Sequence, residues 1–138
     1  MNPEKSTASV VLAHIITSSL VMPFFGLLAG YFVDKFLHNS LDKNSLVILR
    51  DIVYIIFFFI GVKYSLFYIN NTITVKNPQK SSTYSIALFG LIIFVMLIVD
   101  ILSTPNLINI IYNTLFFSII FLIFFVLTRN YFKKLVSS

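Results

Sequence analysis

Few residues in this chain could do chemistry. His14 and His38 are the only histidines. If the segment between them is helical they stand roughly 36 Å apart, too far to share one metal ion within a chain. Asp34, Asp51 and Asp100 are the right type for a divalent cation, but they lack the close local spacing of a known motif. There is no Cys, so disulfides, Cys-ligated zinc, iron–sulfur clusters and thiol catalysis are absent. The chain has no H-E-x-x-H, no G-x-S-x-G and no Gly-rich phosphate loop. The expectation is a non-enzymatic protein with no catalytic residues, no metal and no cofactor.

A second set of polar residues is more suggestive. Asp34, Arg50, Asp51 and Asp100 sit at the edges of long apolar stretches, and Asn106, Asn109 and Asn113 recur at steps of three and four. On a helix that spacing puts the asparagines on one face. If these groups converge, Arg50 pairs with Asp34 or Asp100. Asp51, Asn109 and Asn113 then line a shallow polar pocket, because polar groups at membrane depth face the bundle or a water-filled cavity. The alternative is solvation at headgroup level with one or two salt bridges.

The elements that must position these residues are membrane spans. Of the 138 residues, 58% are hydrophobic and 11% are charged. A soluble domain carries roughly 25% charged residues, and a fold this small cannot hide so much apolar surface. Disorder is excluded by the same composition. No Asp, Glu, Lys or Arg lies between Lys5 and Asp34, between Lys80 and Asp100, or between Asp100 and Arg129. Each gap holds the roughly 20 apolar residues that cross a bilayer as helix. The spacing predicts spans at Ser9–Phe32, Leu46–Ile69, Tyr84–Leu102 and Leu107–Thr128. The second carries Arg50, Asp51 and Lys63. Runs such as Ile55-Ile56-Phe57-Phe58-Phe59-Ile60 do not alternate as barrel strands do. The expected fold is therefore an all-α integral membrane protein, a single domain of four transmembrane helices joined by short loops. The first span is read as retained, since its apolar part exceeds the about 7–15 residues of a signal peptide. Pro105 suits the start of the fourth span.

With four spans, both termini share a side with the Asn70–Thr83 loop. That side holds Lys5, Lys76, Lys80, Arg129, Lys133 and Lys134, against Lys35, Lys43 and Arg50 opposite. The positive-inside rule then predicts both termini in the cytoplasm, with a bacterial plasma membrane as the expected location. The basic tail Arg129–Ser138 should extend the fourth helix along the headgroups. About 1 kcal/mol per basic residue orients such a tail but does not define a lipid receptor. The net charge of +5 is explained by topology and lipid, not by nucleic acid.

Two helix faces are built for close packing. In the first span Ser19, Pro23, Gly26, Gly30 and Asp34 follow at three- or four-residue steps. Gly26 and Gly30 form a G-x-x-x-G pair that lets a second helix approach. Pro23 should kink the helix, with Ser18 or Ser19 serving the freed carbonyl. In the second span Arg50, Tyr54, Phe57, Gly61, Tyr64 and Tyr68 form a seam of alternating four and three. Both faces suit either packing within the chain or contact with a second copy or a partner subunit. Lys63, off the seam, is expected to snorkel or to meet an anionic lipid or another subunit.

The stretch Gly26-x-x-x-Gly30-x-x-x-Asp34 resembles the first hairpin of the small ATP-synthase-associated proteins called subunit I. The likeness covers this stretch alone and implies an accessory subunit. A second echo is internal. Phe25-Gly26-Leu27-Leu28 is similar to Phe89-Gly90-Leu91-Ile92, Val33-Asp34 to Val99-Asp100, and Tyr54 with Phe57-Phe58 to Tyr112 with Phe116-Phe117. It is either a duplicated two-helix unit or coincidence in a chain rich in Phe, Leu, Ile and Val.

The sequence thus leads to a non-enzymatic accessory, assembly or scaffold subunit of a larger membrane complex, in contact with lipid and with a partner or itself. The alternative is a small oligomeric transporter or channel whose polar path is Asp51, Asp100 and the asparagine stripe.

Overall fold

The computed structural model of the chain describes residues 4–103 and 106–137. Among the described residues four helices are long and apolar enough to cross a membrane: Thr7–Leu37, Lys43–Thr72, Pro78–Ser103 and Leu107–Ser137. The first is broken into an α-helix α1 (Thr7–Ile16), one π-helical segment (Thr17–Val21) and a second α-helix α2 (Met22–Leu37). The others are α3 (Lys43–Thr72), α4 (Pro78–Ser103) and α5 (Leu107–Ser137). All four run past the predicted boundaries. Hydropathy stops where the hydrocarbon would stop, whereas backbone hydrogen bonds carry the helix on until a cap ends it.

The caps are local and legible. Ser6 begins α1, and its hydroxyl accepts the Ser9 N–H at 3.3 Å. Asp42 begins α3, with its carboxylate accepting the N–H groups of Asn44 and Ser45 at 3.1 Å each. The Ser45 hydroxyl donates to the same carboxylate and holds Asp42 below the usual carboxylate range. Asn77 begins α4 by accepting the Lys80 N–H at 3.2 Å. Pro78 follows in the first helical position, where a missing N–H costs nothing. Asn106 begins α5 by accepting the Ile108 N–H at 3.0 Å. Pro105 lies outside the described residues.

The break in the first span follows from Pro23. Its ring has no N–H and crowds the carbonyl four residues back, and widening the preceding turn to π geometry relieves that crowding. The expectation about the serines is corrected in detail. Ser18 donates to the carbonyl of His14, with a longer contact of 3.4 Å to Ile15. These lie a turn before the carbonyl that Pro23 deprives. The Ser19 hydroxyl is buried with no hydrogen-bond partner among the described residues.

The π-segment redirects the chain. Before it, α1 packs against α4 and α3; after it, α2 packs on α3. The second half is a tight α4–α5 hairpin that also meets α3. The core lies on the α1 side of the break, around Val10, Val11, Phe58, Val62, Phe89 and Phe124. There, one ring from each span joins a single stack. His14 lies 4.8 Å from Phe124, Phe124 lies 4.1 Å from Phe89, and Phe89 lies 5.7 Å from Phe58. Such stacking adds to the burial of the rings.

The seam expected on α3 divides at the same level. Arg50, Tyr54 and Phe57 meet α2, and a Cβ on Gly26 would stand 3.1 Å from the Phe57 Cβ. Beyond them the buried face moves to Phe58, Gly61, Val62, Ser65, Leu66 and Ile69. Tyr64 is 49% exposed and Tyr68 44%, so neither faces protein. The reason is geometric. The predicted seam steps by 3.5 residues, a straight helix turns at 3.6, and α1 approaches α3 from a different side than α2 does.

One end of the bundle carries a feature no helical reading contains. Glu4–Lys5 pairs in parallel with Thr74–Val75, in register Glu4 with Thr74 and Lys5 with Val75. This joins the N-terminal segment to the α3–α4 link. The Tyr131 hydroxyl of α5 reaches Asn70 at 3.5 Å, at the same end. We call this the terminal end and the opposite one the far end. The tail residues through Ser137 continue α5 as helix.

Candidate functional site

Because α2 leans on α3 while α4 pairs with α5, the far half of the bundle does not close. A cleft of about 620 Å³ remains between the two pairs, with its upper limit at the core. Its walls are apolar, from Ile15, Leu27, Phe58, Ile93, Met96 and Phe117. Leu27 and Met96, on α2 and α4, are exposed at its open side. Three polar positions interrupt the lining. Ser19 stands within the π-turn, and Arg50 and Asp51 stand at the far end with Tyr54 below them.

The far-end polar residues form two groups rather than one. In the first, Arg50 Nη1 lies 3.9 Å from Asp34 Oδ2, and Arg50 Nε lies 3.8 Å from Asp51 Oδ1. Both distances are long and the side chains are partly exposed, so each pair is worth no more than about 1 kcal/mol. The strong contact is with α5, where the Tyr112 hydroxyl donates to Asp51 Oδ2 at 2.6 Å. Asp51 thus ties the α2–α3 pair to the α4–α5 pair across the end of the cleft. In the second group Asn113 Nδ2 donates to Asp100 Oδ2 at 2.6 Å, bridging α4 and α5. Asn109 is exposed. Arg50 therefore takes Asp34 rather than Asp100, and the asparagine stripe contributes Asn113 to the bundle while Asn109 faces outward. Tyr112 was not among the sequence candidates. Its neighbour Asn113 was, and its phenol is the type of group that must find a partner when it sits on an apolar helix.

The close-packing residues of the first span are also placed. Pro23, Gly26 and Gly30 are buried. A Cβ on Gly30 would meet Arg50 Cγ at 2.8 Å. Both glycines are spent on α3, inside the chain. Gly61 is buried on α3, and Tyr54 is half-buried with its ring 5.9 Å from Phe116.

A second polar cluster lies in the core and was missed. His14 Nδ1 is 2.7 Å from Ser65 Oγ, and Nε2 is 2.9 Å from Thr128 Oγ1. Ser65 Oγ also donates to the His14 carbonyl at 3.2 Å. With the imidazole proton on Nδ1, Ser65 accepts from the ring and donates to the carbonyl, and Thr128 donates to Nε2. Each group is then a matched donor or acceptor. The cluster is fully buried and links three spans, with no free face for a substrate. Among the described residues no three His, Asp or Glu are grouped to hold a metal ion.

No protein-family model matches the chain, and no curated protein or solved structure matches it either. The likeness of Gly26-x-x-x-Gly30-x-x-x-Asp34 to subunit I remains local.

Proposed function

We propose that the chain is a multi-pass protein of the bacterial plasma membrane, with both termini cytoplasmic, and serves as a non-enzymatic accessory or assembly subunit of a larger membrane complex. The observation that carries this reading is the cleft. An apolar recess open between α2 and α4, floored by packed aromatics, is shaped to receive apolar side chains of a partner's helix. Burial of protein surface in lipid is driven by close packing rather than by escape from water, and a recess offers more packing than a smooth helix face. Orientation is supported by charge: the terminal end bears Lys76, Lys80, Arg129, Lys133 and Lys134, and the far end holds four of the five acidic residues.

The test is native mass spectrometry of the protein extracted from its own host in lipid nanodiscs. A stoichiometric second polypeptide supports the reading. A photo-crosslinker at Leu27 or Met96 should capture it, and one at Tyr64, on another face, should not. A lone homo-oligomer overturns the subunit reading and favours a transporter. That alternative draws on Asp51, which lines the far end of the open cleft, and on Asp100, hydrogen-bonded to Asn113 at the same end of the bundle. There Asp51→Asn and Asp100→Asn should abolish flux in liposomes, and unchanged flux in both would dismiss it.

A further inference from the structure

The terminal end of α5 stands between two grooves. One, of about 690 Å³, runs between α4 and α5. Its floor is Ile86, Phe125 and Val136, and its rim is Arg129 and Lys133 with the Ser82 and Thr83 side chains opposite. The other, of about 580 Å³, lies between α3 and α5. Leu66 and Leu127 line it, with Lys63, Lys133, Lys134 and Tyr131 around them. Lys133 and Ser137 belong to both grooves, so Lys133 is the ridge between them. Among the described residues no acidic side chain lines either one. The cations also lie over apolar ground. Arg129 sits 5.6 Å above the Phe125 ring, and Lys63 Nζ lies 5.7 Å from the Phe59 ring.

Depth says what such grooves would meet. With 31 residues α5 is about 46 Å long, and the hydrocarbon of a bilayer is about 30 Å thick. Its last turns must therefore stand among the headgroups, with Phe125 and Leu127 still beside acyl chains. A groove with an apolar floor and a basic, hydroxyl-bearing rim fits a phosphate with acyl chains attached. Two such grooves about a shared lysine fit two phosphates on one molecule. Basic pockets between spans at the cytoplasmic side are the places where such headgroups bind.

We propose that the terminal end of α5 binds an anionic phospholipid of the two-phosphate, four-chain class, straddling Lys133. One phosphate meets Arg129 and Lys133, the other meets Lys63 and Lys134, and the chains lie along the two apolar floors. The proposal rests on the reading that the four helices span a bilayer.

The probe is cardiolipin, set against phosphatidylglycerol at equal mole fraction in phosphatidylethanolamine nanodiscs holding the full chain. Native mass spectrometry should find one cardiolipin retained at collision energies that strip phosphatidylglycerol. Loss of one basic contact of about 1 kcal/mol should lower retention about fivefold in Lys133→Gln. Lys133→Arg should restore it, and Lys43→Gln at the far end should leave it unchanged. Helical circular dichroism of each variant shows that the fold is kept. Equal retention of both lipids, or full retention by a folded Lys133→Gln, overturns the proposal. A chain that enters no nanodisc overturns the bilayer reading and the proposal together, and is recognised because no complex forms with any lipid.

Discussion

His14 Nε2 lies 2.9 Å from Thr128 Oγ1, so the first span is hydrogen-bonded to the last across 114 positions of sequence. The other ring nitrogen holds Ser65 on α3, and the ring face lies on Phe124. A three-span clasp with no solvent contact should behave as a unit. His14→Leu keeps the volume but takes the ring from Thr128 and leaves Ser65 only the backbone carbonyl of residue 14, at an expected cost of about 1–3 kcal/mol. Thr128→Val should cost less, about 0.6 kcal/mol, in line with single interhelical bonds in membrane proteins. Adding Ser65→Ala and Thr128→Val to His14→Leu should recover part of the loss. Unfolding in detergent measures each step, and purely additive losses would show that the clasp is not a unit.

The four long helices were visible because charge-free apolar gaps of about 20 residues or more are long enough for a helix to cross a bilayer. Other features left no such mark. A π-turn has no composition of its own, and Pro23 alone announces a bend but not its direction. That direction decides which helices part and hence where the cleft lies. Asp34 and Arg50 were legible as partners because both fall at helix ends on one side. Ser65 and Thr128 were not, since small hydroxyls in a span usually satisfy themselves on their own helix. Their signal was indirect: His14, deep in an apolar stretch, had to find partners somewhere at its own depth. The internal echo does not carry over to these contacts: a Cβ on Gly90 would meet the Phe121 ring at 3.2 Å, whereas the echo matches Phe57, the neighbour of Gly26, to Phe116.

Gly26 and Gly30 should respond differently to substitution. A side chain at Gly26 meets the Cβ of Phe57 and, at 3.5 Å, the Tyr54 backbone, neither of which can swing aside. Gly26→Leu should therefore push α2 from α3 and cost about 1–3 kcal/mol, as overpacking does. At Gly30 the obstacle is the Arg50 side chain. The contact is with Cγ at 2.8 Å, so Gly30→Ala must turn Arg50 from near its root and give up the long ion pair with Asp34, itself worth at most about 1 kcal/mol, while the α3 backbone stays in place. Unfolding in detergent ranks the two. Equal effects would mean that α2 does not rest on α3 as described.

Asp51 and Tyr112 tie the two hairpins across the far end of the cleft at 2.6 Å. Tyr112→Phe removes the donor and keeps the ring. The expected loss is about 1 kcal/mol, toward the lower end for a bond to a charged group because the site is partly exposed. Double electron–electron resonance between labels at Leu41 and Asn106 should then show a broader distance distribution. An unchanged distribution would mean that the hairpins are held apart or together by something other than this bond.

Asp42 gives the far-end link its pH dependence. Its carboxylate lies below the usual range because Ser45, above all, donates to the charged form. A carboxyl depressed in the fold stabilises it fully above the unfolded value, near pH 4, and loses that contribution as pH falls through the lower folded value. The start of α3 should therefore fray in acid. Protection of the Asn44 and Ser45 amides, measured against their intrinsic exchange at each pH, should fall below about pH 4 in the wild type. The fall should be smaller in Asp42→Asn, which caps without titrating. A variant that frays as steeply as the wild type would place the titration elsewhere.

Ser19 separates the stability of the fold from the use of the cleft. The residue lines the recess, and its hydroxyl is buried with no hydrogen-bond partner among the described residues. Removing an unmatched buried hydroxyl relieves the fold rather than harming it, so Ser19→Ala should unfold in detergent no more easily than the wild type. If a partner's helix fills the recess and offers a polar group there, the same change leaves that group unmatched. Retention of the partner in native mass spectrometry should then fall by about tenfold, the equivalent of about 1.4 kcal/mol for one buried group left without its bond. Filling the recess with Met96→Trp should displace the partner by volume instead. Full retention in both variants, with the fold intact, would mean that the partner binds some other face. Loss in Met96→Trp alone would mean that the recess is used without Ser19.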